Sequence, residues 1–305
     1  MLRRRDGIRG DALDVPRDRR AGVGTIRRPH RRVPRRRRDR LRRTDRPMTL
    51  GIVCDLDGVL YLHDEPVPGA RAALEAFAGA GARVVFATNN STRTPAAVAR
   101  VITERVGHPV RADDVVTAAV ATARHLEGGP SRAMVVGMEG LVSALAEVGV
   151  AVESEFPEVV VVGLDRELTY RKLAAATLEL ARGVRFVATG LDATFPTPRG
   201  PLPGTGAIVA ALAAATGRTP EVCGKPHPPM RRLVRERLGA VEEVWVVGDR
   251  PETDLAMARA EGWRAALVLT GVTRDPAAVP DELRPDLVVA SIAELPERLG
   301  IRISP

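Results

Sequence analysis

The chain has 305 residues, 45% of them hydrophobic and 28% charged, which is enough for one large domain or two smaller ones and excludes a single small module. The formal net charge of +8 is concentrated at the N-terminus, because residues 1–47 hold 19 arginines and 6 aspartates (+13) and the rest therefore carries −5. A basic charge spread over the remainder of the chain is thus excluded.

Cysteine content and hydropathy indicate the cellular compartment. Two cysteines, Cys54 and Cys223, are too few for a disulfide framework, and neither lies in a cluster with zinc spacing. No run approaches the ~18 apolar residues of a membrane span, and the N-terminus lacks the apolar stretch of a signal peptide. We therefore expect a cytoplasmic protein without a membrane partner.

Residues 1–47 alternate arginine clusters with Asp, Gly and Pro, without helical or strand periodicity, and this composition predicts a disordered tail. Two interpretations remain open: a basic arm that binds nucleic acid or acidic surfaces, and upstream sequence translated from a start codon ahead of Met48. The tail has no aromatic residues to stack on bases, which favours the second interpretation, in which the segment is not part of the native protein. Nucleic acid is therefore not an expected partner.

From residue 50 onward, short β-branched runs alternate with Ala-, Leu-, Arg- and Glu-rich segments of helical length. This alternation is typical of βαβ units around a parallel sheet and predicts an α/β fold. The predicted strands are 51–54, 83–87, 115–117, 133–136, 159–162, 185–188, 243–247, 265–269 and 287–289. The predicted helices are 69–80, 95–106, 141–148, 170–181, 206–215, 229–238, 252–261 and 292–299.

Two aspartates one residue apart, Asp55 and Asp57, follow the first predicted strand, where the loops of an open α/β sheet gather their ligands. A carboxylate that accepts a phosphoryl group needs a cation to offset the phosphate charge, and a neighbouring acid to protonate the leaving oxygen and later activate water. Gly58 lets the backbone turn directly after the pair. Two solvated acids on a surface loop would give the same pattern, so the pair needs support from elsewhere in the chain.

The second predicted strand ends in Thr88, Asn89 and Asn90, ahead of a helix that begins at Pro95. A hydroxyl, two amides and exposed backbone N–H groups can hold a phosphate without a positive charge of their own. Capping of the following helix by the same side chains is an equally good explanation.

Lys225 stands out because 46 residues are basic and only two, Lys172 and Lys225, are lysines. In so arginine-rich a chain, a lysine in the Gly-Lys-Pro turn at 224–226 indicates a site that needs a compact point charge. A Walker A loop is excluded, since Thr219 stands where its first glycine should be and Pro226 where its Ser or Thr should be.

Asp249 and Asp254 follow the predicted strand 243–247, the first at the strand end and the second in the first turn of the next helix. Both carboxylates can face one oxygen-rich site suited to Mg²⁺. Asp254 also fits the favourable charge at a helix N-terminus, worth ~0.3–1 kcal/mol, and the two explanations are compatible. Four acids, a hydroxyl and a lysine at successive strand ends together favour one catalytic site.

These residues resemble the four motifs of haloacid dehalogenase (HAD) phosphatases, and the similarity extends from about residue 50 to about residue 299. Their form is that of subclass IIA, which includes NagD and the p-nitrophenyl, phosphoglycolate and pyridoxal phosphatases. The matching segments are Asp55-Leu56-Asp57-Gly58-Val59, Thr88-Asn89-Asn90, Gly224-Lys225-Pro226 and Gly248-Asp249-Arg250-Pro251-Glu252-Thr253-Asp254. The match is specific for the superfamily and its chemistry, and weak for the substrate.

The resemblance implies that Asp55 attacks phosphorus and that Asp57 acts as general acid and then as general base. The catalytic residues that it implies are Asp55, Asp57, Thr88 and Lys225. The residues implied to bind the phosphoryl group are Thr88, Asn89, Asn90 and Lys225. The residues implied to bind Mg²⁺ are Asp55, Asp57 through its backbone carbonyl, Asp249 and Asp254, the last from close by.

The resemblance also implies a Rossmann-like parallel-sheet core with an inserted α/β cap domain of the C2 type. The core would comprise residues 48–117 and 219–305, and the cap residues 118–218. Because cap-mediated dimers occur in relatives, a homodimer through the cap is expected by analogy.

The predicted cap departs from its relatives at one turn. They commonly have Thr-Asn-x-Asp before Ala-Thr-x-Pro, whereas this chain has Thr-Gly-Leu-Asp at 189–192, so cap specificity cannot be transferred. Candidate contacts to the leaving group are Asp192, Phe195, Thr197 and Arg199. Structural turn residues are the competing explanation for all four.

The leading prediction is a cytoplasmic, Mg²⁺-dependent phosphatase that hydrolyses a small phosphomonoester through a phosphoaspartate. Phosphoglycolate, pyridoxal phosphate, sugar phosphates and nucleoside monophosphates all remain open as substrates. The alternative is a protein that binds nucleic acid or an acidic surface through its arginine-rich arm. A phosphorylated receiver domain is a third hypothesis, disfavoured because such a domain needs no ~100-residue insertion between its Thr and Lys strands.

Overall fold

The computed structural model describes residues 49–153, 155–197 and 199–301, which belong to the unit Arg46–Pro305. The predictions for residues 1–47, a disordered tail or a basic binding arm, lie outside the described residues. Among the described residues, no helix is both long and apolar enough to cross a membrane.

The described residues contain fifteen strands and nine α-helices. The strands are β1 (Leu50–Cys54), β2 (Tyr61–Leu62), β3 (Glu65–Pro66), β4 (Arg83–Thr88), β5 (Val115–Thr117), β6 (Arg132–Val136), β7 (Ala151–Val152), β8 (Val159–Val162), β9 (Arg185–Ala188), β10 (Thr194–Thr197), β11 (Gly200–Pro203), β12 (Glu221–Val222), β13 (Glu243–Gly248), β14 (Arg264–Val268) and β15 (Leu287–Val289). The helices are α1 (Ala70–Gly79), α2 (Pro95–Val106), α3 (Ala118–Leu126), α4 (Glu139–Glu147), α5 (Tyr170–Ala181), α6 (Thr205–Thr216), α7 (Pro228–Leu238), α8 (Ala256–Glu261) and α9 (Leu295–Arg298).

Six parallel strands form the first sheet, in the order β15-β14-β13-β1-β4-β5. Side chains alternate across it: Ile52 and Cys54 join a core with α1, α2 and α9, whereas Val53 joins a core with α7 and α8 on the other face. Burial on both faces explains why its strands are continuously hydrophobic. The ends of β13, β1 and β4 lie side by side at one edge of the sheet.

Five parallel strands form the second sheet, in the order β12-β9-β8-β6-β7. The four valines of β8 are all buried, with α3 and α4 on one face and α5 and α6 on the other. Helix α3 also gives Ala118 and Ala121 to the core of the first sheet, so it packs against both sheets. Beside this sheet, β10 and β11 form an antiparallel hairpin.

Two parallel sheets, each with helices on both faces, confirm the predicted α/β class with a Rossmann-like core and a second α/β part. The boundaries 48–117, 118–218 and 219–305 remain a prediction. Strand β12, which those boundaries assign to the core, hydrogen-bonds to β9 in the second sheet.

Local sequence explains where several helices begin. Thr94 accepts a hydrogen bond from the Ala97 backbone N–H, and Pro95 occupies the first helical position of α2. Thr117 and Thr169 cap α3 and α5 in the same way. A side-chain oxygen at this position satisfies a backbone N–H that the helix leaves free, and proline there loses no hydrogen bond.

All nine predicted strands are present, each within one residue at either end. The predicted helix 252–261 is wrong in detail, because Pro251–Leu255 forms a π-helical turn ahead of α8. The predicted helix 292–299 begins with a 3₁₀ turn, Ile292–Glu294. Helix α3 and the short strands β2, β3, β7, β10, β11 and β12 were not predicted, since segments of two to nine residues carry little periodicity.

Candidate active site

The predicted site residues meet at one edge of the first sheet. Asp55 and Asp57 follow β1, Thr88 ends β4 and Asp249 follows β13, and these three strands are neighbours in the sheet. Lys225 arrives from the turn between β12 and α7. They line a cleft with a volume of ≈ 360 Å³, within the range of small-molecule sites.

Lys225 lies at the centre of this group. Its Nζ donates to Asp55 Oδ1 at 2.6 Å, to Asp254 Oδ1 at 2.7 Å and to the Ala87 carbonyl at 2.9 Å. Burial alone would lower the pKa of Lys225, but the carboxylates of Asp254 and Asp55 outweigh it and raise the pKa above its ordinary value. Lys225 therefore stays charged. The other lysine, Lys172, donates a hydrogen bond to Asp165 at 2.7 Å. Lys172 and Asp165 both lie outside this cleft.

Asp55 is buried, and its backbone N–H donates to the Val247 carbonyl at 2.9 Å, which extends the β1–β13 ladder by one residue. Burial raises the pKa of the Asp55 carboxyl well above its usual range; Lys225 opposes this shift, and Asp254 and Asp249 add to it. One ammonium group cannot offset three neighbouring carboxylates, so the site has excess negative charge.

Asp249 is held tightly from both sides. Its Oδ2 accepts a hydrogen bond from the Val272 backbone N–H at 2.6 Å, and burial raises the pKa of its carboxyl to about 6. A Cβ added at Gly58 or Gly271 would lie 2.5 Å or 1.9 Å from Oδ2, so a larger residue at either position would displace the Asp249 carboxylate. Among the described residues, the buried Asp249 Oδ1 has no hydrogen-bond partner.

Three carboxylates can share a cation here. Oxygen atoms of Asp55, Asp249 and Asp254 lie within 4.8 Å of one another. Carboxylate oxygens are the ligands that hard divalent cations prefer, and a cation would both satisfy Asp249 Oδ1 and offset the excess negative charge. The donor set therefore fits Mg²⁺. The predicted contribution of the Asp57 carbonyl stays a prediction.

Asp57 differs from its neighbour Asp55 because its side chain is exposed to the cleft. The cleft walls nevertheless remove enough water to raise the pKa of Asp57, against the opposing effects of Lys225, Arg105 and Arg93. A carboxyl with a raised pKa that reaches solvent can carry a proton to a leaving group and later take one from water.

The residues after β4 are engaged in different ways. The Thr88 hydroxyl oxygen accepts from the Asn90 backbone N–H at 3.0 Å, and Asn90 Oδ1 accepts from the backbone and side chain of Thr92 at 2.9 and 2.7 Å. Asn89 Oδ1 accepts from the Lys225 N–H at 2.7 Å, and its Nδ2 donates to the Lys225 carbonyl at 3.2 Å and to Asp192 Oδ2 at 2.9 Å. The Asn89 and Asn90 side chains are thus bonded to protein groups, and the Thr88 hydroxyl hydrogen is available to a ligand.

The predicted leaving-group contacts lie at the far side of the cleft. Asp192, Phe195 and Thr197 line it, whereas Arg199 is exposed in the turn between β10 and β11 and does not. The sequence reasoning missed several lining residues: Tyr61, His63, Arg93, Arg105, Arg166 and Arg250. Arg250 lies inside the motif at 248–254 and Arg93 three residues after Asn90, and these positions were the sequence signals that could have found them.

Comparisons with known proteins identify the family of this chain. A family model described as haloacid dehalogenase-like hydrolase matches residues 52–151, and a HAD-hydrolase-like model matches residues 222–295. An acid sugar phosphatase of Staphylococcus haemolyticus is 37% identical over 73% of this chain and 86% of its own length. The 5′-nucleotidase YutF of Bacillus subtilis is 34% identical over 80% of this chain and 96% of its own length.

Solved structures of similar proteins have the same fold as this chain. A glycerol phosphate phosphatase of Mycobacterium tuberculosis, solved in complex with magnesium, superposes with a TM-score of 0.75 at 35% identity, over 82% of this chain and 76% of that one. The predicted resemblance is therefore confirmed. The chain belongs to the haloacid dehalogenase-like hydrolases, in the subclass IIA that includes NagD and the p-nitrophenyl phosphatases.

Proposed function

We propose that this hydrolase is a Mg²⁺-dependent phosphatase that cleaves a small phosphomonoester through a phosphoaspartate on Asp55. The observation that carries the proposal is the placement of Lys225 Nζ, 2.6 Å from Asp55 and 2.7 Å from Asp254, beside an Asp249 Oδ1 that has no partner in the described part of the chain. The arrangement combines a buried carboxylate, a fixed positive charge and room for a cation at one point of the cleft.

In the first step a carboxylate oxygen of Asp55 attacks phosphorus, and the bond between phosphorus and the ester oxygen breaks. Asp57, whose raised pKa favours the protonated form, gives its proton to that oxygen, and the alcohol leaves. Lys225 stays charged and holds Asp55 in place while negative charge builds up around phosphorus.

In the second step Asp57, now a carboxylate, takes a proton from a water molecule in the cleft. The water oxygen attacks phosphorus, the bond to Asp55 breaks, and inorganic phosphate is released with Asp55 again a free carboxylate. The exposure of Asp57 to the cleft supports this role, because water reaches it directly.

Binding of the phosphoryl group is assigned to the Thr88 hydroxyl, the Asn89 backbone N–H and Lys225. We give the Asn89 side chain a positioning role, since its amide is bonded to both backbone groups of Lys225. Asp55 and Asp249 would hold Mg²⁺, with Asp254 and the Asp57 carbonyl in support. The cation would neutralise charge on the phosphate and the nucleophile.

The substrate is a small phosphorylated metabolite, in keeping with a cleft volume of ≈ 360 Å³. Acid sugar phosphatase, 5′-nucleotidase and glycerol phosphate phosphatase relatives leave sugar phosphates, nucleotides and glycerol phosphate as candidates. Cytoplasmic location and a homodimer through the cap complete the proposal. The first is supported by two buried, unpaired cysteines, and the second by analogy alone.

The experiment is Mg²⁺-dependent release of p-nitrophenol from p-nitrophenyl phosphate by the full chain and by Asp55→Asn. We expect the variant to lose activity to background, because an amide is no nucleophile for phosphorus. Asp281→Asn is the matched control, since its side chain is 85% exposed, and it should retain wild-type activity. Normal turnover in Asp55→Asn would refute the mechanism.

A further inference from the structure

The outer part of the cleft carries more positive than negative side chains. Setting aside Lys225 and the aspartates of the active site, its charged lining residues are Asp64, Arg93, Arg105, Arg166, Asp192 and Arg250. Four guanidinium groups thus face two carboxylates, an excess of two positive charges.

Two of these arginines have partners within the protein. Arg105 bonds to Asp64 and to the His63 carbonyl, and its Cζ lies 5.1 Å from the centre of the Tyr61 ring. Arg250 lies 4.0 Å from Asp192 and donates to the Thr194 carbonyl at 3.4 Å. These contacts account for both carboxylates of the outer cleft.

The excess is carried by Arg93 and Arg166. Both side chains are exposed, and within residues 49–153, 155–197 and 199–301 neither guanidinium makes a hydrogen bond or an ion pair. Arg93 lies directly before α2, which packs on the first sheet, and Arg166 lies between β8 and α5 of the second sheet. Two uncompensated arginines therefore enter the same cleft from different sheets.

Their positions differ along the cleft. Arg93 lies in the loop after β4, which also brings Asn89 and Asn90 to the cleft, so it is on the side of the phosphoryl group. Arg166 stands over the Phe195 ring, with its Cζ 5.8 Å from the ring centre, at the β10–β11 hairpin. The phosphoryl group itself has Lys225, Thr88 and the metal site, so these two arginines are left for the rest of the substrate.

We propose that Arg93 and Arg166 form a second anion subsite, which binds a carboxylate or a second phosphate on the leaving group. The inference rests on the proposed phosphatase function. A guanidinium presents its N–H groups as a planar fork that matches either anion with two hydrogen bonds, and it is weakly hydrated, so desolvating it costs little. The preferred substrate is accordingly a phosphomonoester with a further negative charge.

The test compares matched substrates that differ only in that charge. 3-Phosphoglycerate against glycerol 3-phosphate contrasts a carboxylate with a CH₂OH group, and fructose 1,6-bisphosphate against fructose 1-phosphate contrasts a phosphate with a hydroxyl. We expect kcat/KM to be at least about tenfold higher for the anionic member of one pair, as charge-assisted hydrogen bonds predict. The pair that shows the preference identifies the anion.

In Arg166→Gln, the anionic-to-neutral ratio of kcat/KM should fall about 10- to 100-fold. Arg93→Gln should lower the ratio as well. Arg171→Gln is the matched control, because this exposed arginine lies on α5, which packs on the same sheet as Arg166 but outside the cleft, and it should leave the ratio unchanged.

Two results would overturn the proposed subsite while hydrolysis continues. One is a wild-type ratio near one in both pairs, and the other is a ratio that neither arginine variant alters. Failure of the proposed function looks different. In that case p-nitrophenyl phosphate is not hydrolysed in an Asp55-dependent manner, and the subsite falls with it.

Discussion

Replacing Gly271 by alanine should weaken Mg²⁺ binding without unfolding the protein. The φ angle of Gly271 is not in the left-handed region, so alanine meets no backbone strain there. The added Cβ, however, would lie 1.9 Å from Asp249 Oδ2 and 2.4 Å from its Cγ. The carboxylate must move by roughly 1 Å or more to reach an ordinary van der Waals separation. It then loses the 2.6 Å hydrogen bond from Val272 and its alignment with Asp55 and Asp254.

A hydrogen bond to a charged group is worth about 1.5–3 kcal/mol, which corresponds to a loss of about 10- to 100-fold in Mg²⁺ affinity. The assay is the Mg²⁺ dependence of p-nitrophenyl phosphate turnover, with isothermal titration as a direct measure of binding. Gly79→Ala is the control, because a Cβ at that position of α1 meets nothing within 4 Å. Half-saturation of Gly271→Ala at the wild-type Mg²⁺ concentration would refute the assignment of Asp249 to the metal site.

Three further predictions concern the charged centre. Lys225→Met should lower the free energy of unfolding by about 3–5 kcal/mol at pH 7, because two buried carboxylates lose their cation. This loss should be smaller at pH 5, since the raised pKa of Asp55 lets its carboxyl take up a proton. Equal denaturant midpoints for the variant and the wild type would contradict the prediction. Asn89→Ala should lower kcat about tenfold with a smaller effect on KM, since the variant loses both hydrogen bonds that hold the Lys225 backbone. A change in KM alone would instead indicate that Asn89 binds the substrate directly. The apparent Kd for Mg²⁺ should rise as pH falls below about 6, by up to about tenfold per pH unit, because the cation must displace a proton from Asp249. Titration calorimetry between pH 5 and 7 measures this rise, and a Kd that does not change with pH would contradict the prediction.

The strand-end residues were predictable because their positions follow from the sheet. Asp55, Thr88 and Asp249 end or follow strands that are long, buried and β-branched, and such strands are recognisable in a single sequence. Parallel strands of one sheet bring their carboxyl ends to one edge, which fixed where these residues meet. Lys225 was recognisable from composition, since lysine is rare in this chain.

Other features depend on contacts that no local pattern encodes. The bonds of the Asn89 side chain to Lys225 and Asp192 join three loops that are far apart in the chain, so no pattern in the sequence indicated them. Arg93 and Arg166 follow strands of different sheets, and they line one cleft only because the chain brings these two loops together. The tight fit of Gly271 against Asp249 likewise appears only once β13 and β14 lie side by side.

The most direct measurement for Asp55 as the nucleophile is to trap the covalent intermediate. Asp57→Asn, which lacks the base that activates water, is mixed with p-nitrophenyl phosphate and Mg²⁺, quenched in acid and reduced with borohydride, and its peptides are analysed by mass spectrometry. An aspartyl phosphate on Asp55 would be reduced to homoserine at position 55, and we expect this product only when substrate is present. Intact aspartate at position 55 after the variant has released one equivalent of p-nitrophenol would contradict the covalent mechanism.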